Sequence, residues 1–310
     1  MHVQRSDLME MKGLSIYRNE QGRDRFVAAY DQALSEWPVS YEISYVSTQF
    51  GDTHLIRCGD PADPPLLLIH GMTATSLMWS ANIAEWCSGY YVYCVDVPGD
   101  FGKSTLLKPL SSKEAAAQWL LELTRELGLE KFHLLGHSMG GFISLNFAVV
   151  HPERVSSLTL LAPAGSFVPL SRMFYWHMFP AVMLKTQWLI DRAFAWCMSR
   201  HNSLDQIPAS YRALMSASYK NCFPRLGLLP TVFTEAELAQ CSFPTLLIVG
   251  EDEVIYRHSL SDVQAKARLL PDITLATVPK AGHLLSIEQK QRINQLVMKF
   301  LGKHAGNVTV

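Results

Sequence analysis

Five short runs of almost unbroken apolar residues constrain this chain more than any other feature: PLLLIHG (65–71), YVYCVDVPG (91–99), KFHLLG (131–136), VSSLTLLAPA (155–164) and FPTLLIVG (243–250). A sixth strand-like run, DITLATVP (272–279), follows them. Helical stretches stand between: one near 77–87, SSKEAAAQWLLELTRELG (111–128) with Ser112 as N-cap and Gly128 just past its end, and GGFISLNFAVVH (140–151). IEQKQRINQLVMKFL (287–301) closes the series. Continuously apolar strands separated by helices predict a mostly parallel sheet covered on both faces.

Two regions depart from that alternation. At the start, FVAAYDQALSEW (26–37) places Phe26, Tyr30, Ala33, Leu34 and Trp37 on one helical face, and Pro38 ends it. YEISYVSTQ (41–49) then alternates, and THLIRCG (53–59) reads as its hairpin partner across Gly51-Asp52. Between roughly 165 and 240 no strand pattern occurs. FYWHMFPAVMLKTQWLIDRAFAWCM (174–198) is dense in aromatics and methionine, and prolines at 180, 208, 224 and 230 are expected to cut the region into short helices. The expected organisation is an N-terminal helical arm (1–40), a core of 41–164 with 241–310, and an inserted helical cap (165–240).

The totals narrow the class. Hydrophobic content of 48% with 18% charged residues describes a globular chain, and a net charge of −1 gives no reason to expect nucleic acid or an anionic membrane as partner. Six scattered cysteines without a C-x-x-C pair favour reduced thiols over a disulfide framework or a zinc site. The opening MHVQRSDLMEMKGL is too polar for a signal peptide, and no run of about 18 uncharged apolar residues is present to span a bilayer. A cytoplasmic location is the expectation; oligomeric state is not legible.

Chemistry enters at KFHLLGHSMGG (131–141), where Gly136-His137-Ser138-Met139-Gly140 forms a G-x-S-x-G between a strand and a helix. Such a serine sits on a strained turn above the sheet's carboxyl edge, with a helix N-terminus beside it to favour developing negative charge. Serine needs a base and an orienting acid. His283, in PKAGHLLSIEQ (279–289), follows the sixth strand and falls at the same edge; Glu251, Asp252 and Glu253 follow the fifth. His133 and His137 straddle a strand and a turn, which argues against a metal pair, and no metal or cofactor is expected. GDFGKS (99–104) ends like a phosphate-binding loop, but Val97 stands where that loop needs its first glycine.

LLLIHGMTATSLMW (66–79), VDVPGDFGKS (95–104), GHSMGG (136–141), GEDEVIY (250–256) and AGH (281–283), in that order, resemble an α/β-hydrolase with a cap, of the bacterial carboxylesterase-like type. The resemblance covers nearly the whole chain and is more specific for fold than for substrate. It implies a serine hydrolase acting on small-molecule carboxylic esters through an acyl-enzyme, with the backbone N–H groups of Met72 and Met139 as the oxyanion hole. The G-x-x-[DE] pattern points to Glu253 as the triad acid, with Asp252 the alternative and Glu251 a solvated loop residue. His70 and His137 are expected to order loops. In VDVPGDFGKS one residue, Asp100 or Phe101, is extra relative to the resembled loop. A cap over the nucleophile would draw an apolar pocket from Met173, Phe174, Trp176, Met178, Phe179 and Trp188. Carbon–carbon bond hydrolases and perhydrolases share the triad, and a non-catalytic ligand sensor is the rival from another class.

Overall fold

A computed structural model describes residues 14–304. Residues 1–13 of the expected arm, which carry the polar start, and residues 305–310 lie outside the described chain. The eight expected strands form one sheet: β1 (Glu42–Thr48), β2 (Gly51–Cys58), β3 (Pro65–Ile69), β4 (Tyr91–Val95), β5 (Phe132–His137), β6 (Val155–Leu161), β7 (Thr245–Gly250) and β8 (Ile273–Val278). Their order is β1-β2-β4-β3-β5-β6-β7-β8. Only β2 runs against its neighbours, pairing antiparallel with β1 and β4; the remaining pairs are parallel.

The alternation inside each strand explains why these runs read as continuously apolar. Leu66 and Leu68 of β3 face one core with Val92, Cys94, Leu246 and Ile248. Leu67 and Ile69 face the other with Tyr93, Val95, Leu247 and Val249. Each fully buried side chain of this kind contributes about 1.5–3 kcal/mol relative to exposure. Both faces must therefore be covered, and helices cover them.

The first helix, α1 (Glu20–Leu34), starts earlier than its apolar periodicity suggested because Asn19 caps the amide of Gly22 over a polar first turn. It packs against the insertion, where Arg18 N donates to Asn221 O at 3.0 Å. The helix expected near 77–87 is tighter, a 3₁₀ segment (Ser76–Ala81) followed by one turn of α2 (Ile83–Trp86). The next, α3 (Lys113–Glu126), is capped by Ser112 as expected, and α4 (Met139–Val150) follows β5 directly. Between β6 and β7 lie α5 (Arg172–Leu184), α6 (Gln187–Cys197), α7 (Ala209–Asn221) and α8 (Glu235–Ala239). Pro180 does not break this stretch as expected: α5 runs through it, forfeiting one N–H bond, and ends at Lys185 in a left-handed conformation with φ 57°. The fold closes with α9 (Leu260–Ala267), α10 (Leu285–Glu288) and α11 (Lys290–His304). The carboxyl ends of β3, β5, β7 and β8 converge on one edge, where ligands bind in open α/β sheets.

Candidate active site

Ser138 sits between β5 and α4 with φ 53° and ψ −116°, a conformation that costs about 1–3 kcal/mol for a residue with a side chain. The surroundings enforce it. Ser138 N donates to Leu161 O at 2.9 Å, and its carbonyl accepts from Phe142 N at 3.0 Å and Ala164 N at 2.9 Å. The glycines of the motif are required by contact. A Cβ on Gly136 would lie 2.2 Å from the Gly140 carbonyl oxygen, and one on Gly140 would lie 2.1 Å from that of Ile69. Strand, elbow and helix approach too closely for any side chain there. Met139 is the first residue of α4, so its amide has no intrahelical acceptor and points along the positive end of the helix.

His283 Nε2 lies 2.9 Å from Ser138 Oγ, and its Nδ1 lies 3.0 Å from Glu253 Oε2. The Glu253 side chain is fully buried, and its other oxygen accepts from the amides of Val254 at 2.9 Å and Ile255 at 3.0 Å. The carboxylate is thus held by three donors, and Nδ1 must carry its proton toward it. That leaves Nε2 as an acceptor facing the serine hydroxyl. Asp252 points elsewhere: Ser199 Oγ donates to its Oδ2 at 2.5 Å. Glu251 is exposed.

Two sets of contacts hold the histidine, one through His137, which was expected to order loops, and one through Glu288, which was not expected to take part. The His283 amide donates to Cys197 O at 2.6 Å, and its carbonyl accepts from His137 Nε2 at 2.8 Å. Burial pushes the His137 imidazole down to about 3, so the ring is neutral and serves as that donor. Glu288 joins the loops, accepting from Gly282 N at 3.0 Å, Ser199 N at 2.7 Å and Asn202 Nδ2 at 2.7 Å. Residues 197–202 at the end of α6 are therefore tied to both the histidine and the acid loops. Nothing in local sequence marks Ser199 or Glu288, because the contacts that join them to each other and to Asp252 span distant parts of the chain.

The turn after β3 is braced from below. His70 Nδ1 donates to Gly71 O at 2.8 Å while its Nε2 accepts from Val97 N at 3.0 Å. Thr73, at φ 57°, donates its amide to both oxygens of buried Asp100 at 3.0 and 3.1 Å. Burial pushes the Asp100 carboxyl up to about 7, against the pull of the Phe101 and Thr73 amides. Asp100 thus anchors the turn next to Ser138, and Phe101 is buried with its ring 5.4 Å from that of Tyr219. Lys103 forms an ion pair with Asp31.

A cavity of about 60 Å³ lies against Ser138 and His283, walled by Gly71, Met72, Thr73, Phe174, Met178, Phe194, Tyr211 and Met215 among others. Of the six residues expected to line a pocket, Phe174 and Met178 do so. Met173, Trp176, Phe179 and Trp188 do not; they are 51–74% exposed. The reason is helix geometry: Phe174, Met178 and Ala181 share one face of α5, and Trp176, Phe179 and Met183 take the opposite one. A larger open cleft of about 610 Å³ lies beyond Tyr211 and Ile287, which line both spaces. Among the described residues no group of three His, Cys, Asp or Glu side chains could hold a metal ion, and no helix is long and apolar enough to cross a membrane.

A family model described as alpha/beta hydrolase fold matches residues 64–203. The chain is 37% identical to the uncharacterized carboxylesterase nap of Bacillus subtilis (strain 168), over 91% of this chain and 94% of that protein. It is 36% identical to carboxylesterase YbfK of the same organism, over 89% and 93% respectively. The crystal structure of naproxen esterase (carboxylesterase NP) from Bacillus subtilis superposes with a TM-score of 0.86 at 34% identity, covering 92% of this chain and 99% of that one. With the sheet order, the serine elbow and these relatives in agreement, the chain belongs to the α/β-hydrolase fold family.

Proposed function

We propose that this chain is a carboxylesterase that cleaves small-molecule esters through an acyl-enzyme on Ser138. The observation that carries the reading is the continuous relay from Ser138 Oγ to His283 Nε2 at 2.9 Å and from His283 Nδ1 to Glu253 Oε2 at 3.0 Å. His283 takes the serine proton as Oγ attacks the ester carbonyl, and Glu253 stabilises the imidazolium that results. The amides of Met72 and Met139 receive the oxyanion, each donor being worth about 3–4 kcal/mol in the transition state. His283 then protonates the departing alcohol, and water repeats the sequence to release the acid.

The cavity supports uncharged esters. Its described lining contains no lysine or arginine to neutralise a substrate carboxylate, and four methionines, Met72, Met78, Met178 and Met215, give it an adaptable apolar wall. The inserted helices α5–α8 act in this reading as the cap, with residues 165–240 over the core. The similarity to two carboxylesterases over about nine-tenths of the chain supports the same chemistry. Six unpaired cysteines fit a cytoplasmic setting.

The test is labelling with a fluorophosphonate, followed by mass spectrometry, alongside hydrolysis of aryl and alkyl esters of increasing acyl length. The expected adduct is on Ser138, and Ser138→Ala loses both labelling and turnover. Full ester turnover by Ser138→Ala, or an adduct on another serine, overturns the proposal.

A further inference from the structure

The residues of α5 and of the start of α6 that point away from the cavity form the most exposed apolar surface of the described chain. Trp176 is 74% exposed, Leu184 67%, Trp188 66% and Phe179 64%, and Tyr175 and Met183 join them. A soluble chain gains nothing by presenting such a face to water, so a patch of this kind marks a contact. Its charge says with what. Along 172–197 the basic side chains are Arg172, Lys185 and Arg192, against the single acid Asp191. Arg192 lies over the Trp188 ring at 5.4 Å. Lys220 reaches the same end of α6 through Gln187 at 3.0 Å.

We propose that this outer face docks on the surface of an anionic phospholipid bilayer. Tryptophan and tyrosine favour the headgroup level, phenylalanine and leucine the acyl boundary just beneath it, and flanking arginine and lysine meet the lipid phosphates. A second copy of the chain fits less well. A two-fold contact through this patch would set Arg172, Lys185 and Arg192 of one copy against the same cations of the other. The net charge of −1 hid this asymmetry, because it averages the patch with acids elsewhere in the chain. The opposite face of α5 carries Phe174 and Met178 into the cavity beside Ser138. If the carboxylesterase reading holds, the docked enzyme draws bilayer-dissolved, uncharged esters.

The test is co-sedimentation of the full chain with vesicles of phosphatidylcholine alone and of an equal mixture of phosphatidylcholine and phosphatidylglycerol. Binding is expected to the mixed vesicles only, and to weaken as salt rises. Replacing Trp176, Phe179 and Trp188 together with serine should weaken it at least about tenfold, as should replacing Arg172, Lys185 and Arg192 with glutamine. Five of the six side chains belong to α5 and α6 and Lys185 to the turn between them, and an unchanged melting temperature establishes that each variant is folded. Ser138→Ala should bind vesicles like the wild type, so a failure of the esterase reading leaves this result standing. Absence of binding, undiminished binding by the folded serine variant, or a dimer in sedimentation velocity that this variant abolishes would each overturn the proposal.

Discussion

Glu253→Gln is the sharpest probe of the relay, because the structure dictates which way the new amide must face. One oxygen of Glu253 accepts from Val254 N at 2.9 Å and Ile255 N at 3.0 Å, and two donors can be met only by an acceptor. The glutamine carbonyl must therefore take that side, which turns its NH₂ toward His283 Nδ1, 3.0 Å from the present Oε2. Nδ1 then has to accept, and the imidazole proton moves to Nε2, facing Ser138 Oγ at 2.9 Å. A protonated Nε2 cannot remove the serine proton. The side chain is fully buried, so no solvent is at hand to restore the tautomer. Loss of the charge that stabilises the imidazolium comes in addition. The combined effect should be about 10⁴ in kcat, or about 5.5 kcal/mol of transition-state stabilisation. KM should change little, since the cavity wall and the backbone amides are untouched. The assay is steady-state hydrolysis of an aryl acetate by Glu253→Gln and Asp252→Asn, with melting temperatures for both. Asparagine at 252 can still accept from Ser199 Oγ, now at 2.5 Å, and should lose less than about threefold. A Glu253→Gln enzyme within about tenfold of wild type, with Asp252→Asn the more damaged, would refute the reasoning.

Other perturbations test the scaffold. Gly140→Ala forces a Cβ to within 2.1 Å of the Ile69 carbonyl oxygen, so it should cost more than about 3 kcal/mol or abolish soluble expression. Gly302→Ala, in α11 with open space around the new methyl, should gain up to about 1 kcal/mol; urea midpoints compare the two. Burial holds His133 down to about 4 and His137 down to about 3, from an ordinary 6.5. The unfolded chain takes up these protons first, so their stabilising contribution is whole above about pH 6.5 and is lost as pH falls toward 4, on the order of 3 kcal/mol for each. His133→Gln should flatten that slope in urea titrations between pH 7 and pH 4; an unchanged slope would mean the ring is not the source.

Much of this molecule was legible because it is written locally. The central strands announced themselves because burial on both faces demands unbroken apolar runs, β1 and β2 announced themselves as a hairpin across Gly51-Asp52, and Ser138 and His283 sit in turns whose glycines are adjacent in sequence. The family's register also pointed to Glu253. What periodicity and spacing could not decide were contacts made across the fold. Asp252 N is held by Ala281 O at 2.9 Å, a residue on another loop, and such anchors set where each carboxylate points after Gly250. The pocket residues were indistinct for a related reason: α5 is apolar on both faces, and only its packing over Ser138 separates Phe174 and Met178 from Trp176 and Phe179. Asp100 looked like a surplus residue until its carboxylate was seen to hold the Thr73 amide. Composition and periodicity determine which backbone forms, since those forces act between near neighbours. Which face of a helix turns inward, and which of two adjacent acids meets the histidine, depends on partners up to a hundred residues or more away, and only the assembled fold brings them within reach.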